Sequence, residues 1–267
     1  MNARLILQTW RWHALEVALL ALAAFGWGWL IVFLYSVFSP TMREFVQGNP
    51  LMEQFSRLGS GDFFTVPGSL TLGLQHPLAV AMMAVIATGS AATAVAGERQ
   101  RGTLEVLLSR PISRRAAYGS ILVALLVLVA VLVAAFLAGE MLGVVVHGLT
   151  AEVDLGLMPL VLLMGFMLWS AFAAFGLAAS VSFDRAGPAI GLSLAYLLVH
   201  YFLEILGSLW ADAAWTQEYS LFHHFQPGEI LTGGFDPIDL AILGLAAIVP
   251  IAYALIVFPR RDLAAPS

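Results

Sequence analysis

The sequence predicts an all-α membrane protein with six transmembrane helices, and three observations carry that prediction. The 267 residues are 60 % hydrophobic and only 11 % charged, with a mean hydropathy of +0.90. A soluble domain of this length has too little interior to hide so much apolar surface. Stretches approaching the roughly 20 apolar residues that cross about 30 Å of hydrocarbon recur six times along the chain. The basic residues, moreover, collect in alternate connections between those stretches, the pattern that orients a spanning chain.

Each element follows in order. Met1–His13 sets Leu5, Ile6, Trp10 and Trp12 beside Arg4 and Arg11, which predicts an amphipathic interfacial helix with aromatic anchors. The first span, Val17–Phe38, is too long for a signal-peptide core and lacks a small-x-small cleavage site, so it is expected to remain. The second, Pro77–Ala96, is rich in Ala and Gly and reads as a tightly packed interior helix. The third and fourth, Ala116–Gly139 and Leu155–Phe183, carry no charge at all. The fifth begins at Ala186 and continues past His200 and Glu204 to about Ser208; the sixth is Leu240–Pro259. No soluble domain, internal repeat or low-complexity tract interrupts them, so residues 1–267 are expected to form one six-span domain.

Orientation follows from the arginines. With the N-terminus in the cytoplasm, the inner segments hold Arg4, Arg11, five arginines of Gly97–Ser120, Arg185, Arg260 and Arg261, ten against Arg43 and Arg57 outside. Both termini are therefore expected in the cytoplasm, with the chain in the plasma membrane. The outer connections become Ser39–His76, His147–Asp154 and Leu209–Asp239.

Composition also excludes chemistry. All twelve basic residues are arginine, so this chain holds no Walker A lysine and no Schiff-base lysine. It has no cysteine, which removes disulfides, thiolate metal ligands and cysteine nucleophiles. A pI near 5.6 and a net charge of −5 give no footprint for nucleic acid.

The segment Gly97–Ser120, GERQRGTLEVLLSRPISRRAAYGS, is the most informative. Glu98–Arg101 is a charged exit from the second span, and Gly102 breaks it. Thr103 is placed to cap a short helix whose Leu104, Leu107 and Leu108 fall at i, i+3 and i+4 on one face. Pro111 ends that helix, and Ser113 is placed to cap the third span. A helix of about two turns is marginal alone in water, so its leucine face needs a surface, either the bilayer or a protein partner.

The string from Glu98 to Arg114, E-R-x-R-G-T-L-E-x-L-L-S-x-P-I-S-R, resembles the signature of the permease subunits of type-2 (ABC-2-like) ATP-binding-cassette exporters. The layout of spans and loops is similar over the whole chain, although only about twenty residues match closely in sequence. The resemblance implies a cytoplasmic coupling helix between spans two and three, seated in a separate nucleotide-binding subunit. The residues in that role are Glu98, Arg101, Gly102, Thr103, Leu104, Glu105, Leu107, Leu108, Pro111 and Arg114. It further implies an N-terminal element touching that ATPase subunit, a second permease copy or a related chain, and ATP and Mg held on the partner. Such permeases often carry Gly-Lys where this chain has Gly119-Ser120, a departure that bears on partner affinity or anchoring.

Ionisable groups inside a membrane are functional candidates by default. Glu16, Glu140, His200 and Glu204 all lie toward span ends, where structural hydrogen bonding is the first expectation; His200 and Glu204 are kept as candidate cargo contacts. The outer segment Leu209–Asp239 is too aromatic for a solvated loop and too interrupted to span, which predicts short helices dipping into the outer leaflet and leaning on the bundle. His223 and His224 are neighbours, and adjacent helical side chains point about 100° apart, so no metal site is expected. Asp184–Arg185 is a second possible contact for a cytoplasmic partner. No catalytic residue is expected. The rival readings are an intramembrane serine protease of the rhomboid kind, using Ser90 and His200, and a membrane anchor that transports nothing. The cargo itself is not legible.

Overall fold

The computed structural model describes residues 3–46, 64–104 and 112–261, and among them every regular element is helical. Helix α1 covers Ala3–Val46. A bent pair follows, α2 (Val66–Gln75) and α3 (Pro77–Thr93), with Val85–Ser90 of α3 wound as π-helix. A short α4 (Ala96–Gln100) leads into the arginine-rich loop. Then come α5 (Arg114–Val146), α6 (Met158–Ser182), α7 (Ala186–Leu209), a 3₁₀ stretch at Ala211–Tyr219, α8 (Pro227–Leu231) and α9 (Pro237–Arg260). Five of these helices are long and apolar enough to cross a membrane, and the bent pair makes a sixth crossing if its halves form one span.

Three expectations are corrected. The N-terminal amphipathic stretch is not a separate interfacial helix, because α1 runs from Ala3 into the first span with no break. The outer connection expected at Ser39–His76 is not all loop: α2 ends it and meets α3, which starts at Pro77, at 43°. The cause is local. Proline has no amide hydrogen and keeps the residue before it out of the helical region. His76 accordingly sits at φ −61°, ψ 143°, and its Nδ1 accepts the Leu78 amide at 3.2 Å to start α3. The third span, finally, is longer than expected. Nothing breaks it between the Ser113 cap and Gly148, which takes a left-handed φ of 70° while the Leu149 amide turns back to the Val144 carbonyl at 2.9 Å.

Helix α6 forms the centre. Its spanning window is 67 % buried against 17 % for α9 and 22 % for α7, so the latter two present their apolar sides outward. Helix α1 packs along α5 on a seam of small residues. A methyl group on Gly28 would lie 2.4 Å from the Phe136 carbonyl oxygen, and one on Gly143 would lie 2.6 Å from the Val32 side chain. Such close backbone approach is how helices associate where lipid removes the hydrophobic contrast.

Candidate functional site

The site is the end of the bundle where the arginine-rich loop leaves α4. Between α3 and α4 the helix breaks at Ala94 and Val95, leaving two amides without helical acceptors. The Ser180 hydroxyl oxygen of α6 accepts both, from Val95 and Ala96, each at 2.9 Å. The root of the loop is thereby fixed to the central helix.

From there the loop turns back on itself. The Glu98 carboxylate takes hydrogen bonds from the Arg101 guanidinium and the Thr103 hydroxyl, and the Glu98 carbonyl lies 3.1 Å from that same hydroxyl. Gly102 supplies the reversal with a φ of 73°, a conformation that costs glycine nothing. Thr103 and Leu104 are already helical, so the capping position falls on Gly102. The Thr103 hydroxyl donates backward to Glu98, and the amides it is expected to cap lie outside the described residues. Leu104 is buried within the chain's own core at 2 % exposure. Leu104, expected to lie on the bilayer or a protein partner, therefore packs inside the bundle. Glu105, Leu107, Leu108 and Pro111 lie outside the described residues.

A polar clamp surrounds this root. Asp184, in the turn between α6 and α7, pairs with Arg99 at 2.9 Å and with Arg261 at the end of α9. Arg261 also donates to the Val181 carbonyl at 2.6 Å. Arg114, the first residue of α5, donates to the carbonyls of Pro259 (3.2 Å) and Arg261 (2.7 Å). Gln100 accepts the Ala186 amide at 3.0 Å, giving α7 the cap its own residues do not provide. Ser113 caps α5 as its position predicts, accepting the Ala116 amide at 3.2 Å. The ends of α4, α5, α6, α7 and α9 are thus joined through a handful of side chains around the base of one loop. Neither Ser180 nor the Asp184 bridge carries a sequence signal, since both depend on partners about 80 residues away.

The other end of the bundle holds the remaining candidates. His200 and Glu204 face the segment after α7, which leans on the bundle as expected. The His200 carbonyl accepts the Ser220 hydroxyl at 2.8 Å, and its Nδ1 accepts the Leu221 amide at 3.2 Å. Glu204, 2 % exposed, accepts from the Gln217 amide at 2.9 Å. Phe222 and Phe225 are buried, with Phe222 against Trp169 and Phe172, while Trp210, Trp215 and Tyr219 are exposed. This far-end cap is also tied to the bent pair: Gln75 donates to the Phe225 carbonyl at 2.6 Å, and the Gly228 amide donates to Thr71 at 2.7 Å. His224 pairs with Asp239 at 2.7 Å, and among the described residues no three His, Asp or Glu side chains gather as a metal site would require. Glu16 pairs with His13 at 2.7 Å. Ser90 donates its hydroxyl to the Val85 carbonyl at 3.3 Å, while His200 bonds to Ser220 and Leu221.

A helical bundle of long apolar crossings, with its cationic loop root clamped at one end, is that of a multi-pass membrane protein. The family model described as "ABC-2 family transporter protein" matches residues 26–263, and the chain belongs to that family. Comparisons with curated proteins and with solved structures find no match. Membership makes the chain a transmembrane transporter subunit of a kind that works with ABC ATPase subunits, and it does not favour the protease reading.

Proposed function

We propose that this chain is the substrate-pathway subunit of an ATP-binding-cassette exporter, driven by a separate ATPase through Glu98–Arg114. Two copies, or this chain and a related one, build the pathway, with both termini and the arginine end in the cytoplasm of a plasma-membrane protein. The observation that carries the reading is the clamp: the loop root is bonded to α6 and α7, and through Asp184 and Arg261 to α9 and the start of α5. A push on the loop by closing ATPase subunits is therefore delivered to α5, α6, α7 and α9 together, through Arg114, Ser180, Gln100 and Asp184. The arginine bias supports the orientation, and the absence of lysine fits an energy source on another chain. Arg101 is exposed and, among the described residues, pairs within the loop with Glu98, so it is available to the partner.

The test is co-purification from native membranes. Leu107→Asp and Leu108→Asp should lose the ATPase subunit while the permease still inserts and runs as a discrete species. Retention of the ATPase by that double variant overturns the assignment. Leu104 is left intact, because a charge at a buried core position would damage folding itself.

A further inference from the structure

One buried group plays no part in the coupling mechanism. Glu140 lies 26 residues into α5, roughly 39 Å along the helix from Arg114 and so toward the far end. It is fully buried, and among the described residues neither carboxyl oxygen has a hydrogen-bond partner. The carboxyl sits where α1 and α2 close on α5. A methyl group built on Gly73 of α2 would lie 2.6 Å from its Oε1, and one on Gly28 of α1 would lie 3.2 Å from its Cγ. A side chain at either glycine would collide with the carboxyl, so both positions keep that space open for it. Trp27 fastens the same level, donating its indole hydrogen to the Gly73 carbonyl at 2.9 Å.

Among the described residues no counter-charge meets the carboxyl from any of the three helices. On α1, His13 and Glu16 pair with each other, the Tyr35 hydroxyl goes to the Phe64 carbonyl at 3.4 Å, and Arg43 is 15 residues from Gly28, roughly 22 Å along the helix. At the end of α2, His76 accepts the Leu78 amide and stacks on Trp27. On α5, Arg114, Arg115 and Tyr118 lie at the arginine end, and His147 packs on Trp29 and Phe33. An unpaired carboxylate in such a place costs many kcal/mol. A metal cation is no remedy, because calcium or magnesium needs about six oxygens and one carboxyl supplies two.

We propose that Glu140 is a proton-binding site, and that its occupancy latches α2 against α1 and α5. The geometry leaves no other ligand small enough. Loss of the proton creates a charge that only water can satisfy, and water reaches it only if α2 lifts away. Helix α2 can do so about the break at His76–Pro77. Because Thr71 and Gln75 hold Gly228 and Phe225, its lifting carries or releases the far-end cap. Proton binding and closure of the far end are then reciprocal: each favours the other.

The test uses the permease alone in lipid nanodiscs, so it stands or falls independently of the ATPase coupling proposed above. The chain has no native cysteine, so Leu72→Cys and Leu142→Cys can carry spin labels on α2 and α5. Dipolar broadening between them reads whether α2 is docked. As pH rises from mildly acid to mildly alkaline, the undocked fraction should grow, by up to about tenfold per pH unit for one linked proton. Glu140→Gln, neutral at every pH, should stay docked throughout. A wild-type signal that does not change with pH overturns the proposal, as does an equal change in the Gln variant. Should that variant not fold, Glu140→Met keeps a neutral side chain of similar size and carries the same expectation.

Discussion

Gly139 of α5 lies so close to Phe25 of α1 that a methyl group on the glycine would stand 2.0 Å from the Phe25 carbonyl oxygen. No flexible side chain is there to give way; the obstacle is backbone. Gly139→Ala must therefore push the two helices apart along the Gly28–Gly139–Gly143 seam. Overpacking of this kind costs about 1–3 kcal/mol, and a backbone obstacle sets it at the upper end. Gly26→Ala is the control, since nothing lies within 4 Å of its added methyl group. That change should be neutral or stabilise by up to about 1 kcal/mol through helix propensity. Midpoints of unfolding in mixed detergent, compared for the two variants, check the prediction.

Ser180→Ala removes the acceptor of two amides at once, from Val95 and Ala96. A buried donor left unsatisfied costs about 1–3 kcal/mol, and water can recover part of that at the end of the bundle. The variant should lower the unfolding midpoint by an amount in that range. It should also raise hydrogen exchange locally at Val95 and Ala96, measured by mass spectrometry on the purified chain. Exchange at Val95 and Ala96 identical to wild type would show that Ser180 does not hold the break.

How far the sequence anticipates this architecture depends on the range of the interaction. The Ser113 cap and the Gly102 reversal are local, and both are legible within three or four residues. The Gly139–Gly143 pair has the small-xxx-small spacing of a tight helix contact, so that seam carries a usable signal as well. Helix α2 is hidden for a different reason. Ser69, Thr71 and Gln75 make it look like a loop, yet each side chain is buried and bonded: Ser69 to the Val66 carbonyl, Thr71 to Pro67 and Gly228, Gln75 to Phe225. Polar residues that find internal partners do not prevent a helix from being interior, and hydropathy cannot see those partners. Leu104 misleads likewise: periodicity places it on an apolar face, while only the turn at Gly102 decides that this residue enters the core. Asp184 with Arg99 and Arg261 is tertiary throughout.

Asp184→Asn separates stability from coupling. The Asp184 side chain is 51 % exposed, so its pairs with Arg99 and Arg261 are well screened. Such pairs contribute about 0–1 kcal/mol, and the unfolding midpoint should barely move. Their geometric role is larger, because they join the loop root to the ends of α6 and α9. The expected outcome is an intact complex whose ATP hydrolysis proceeds but whose transport per ATP falls. Measuring both rates in proteoliposomes decides it. A variant with an unchanged ratio would show that the clamp is merely a surface ion pair.

Orientation is testable with two single cysteines in this cysteine-free chain. Arg185 and Asp212 are both exposed and lie at opposite ends of α7, 24 residues or roughly 36 Å long. The arginine bias puts Arg185 in the cytoplasm and Asp212 outside. A membrane-impermeant maleimide added to intact cells should therefore label Asp212→Cys and leave Arg185→Cys untouched until the membrane is opened. Labelling confined to Arg185→Cys would reverse the topology. It would also remove the loop root from the side where an ATPase could reach it. The same pair of sites thus bears on the coupling mechanism without any need to know the cargo.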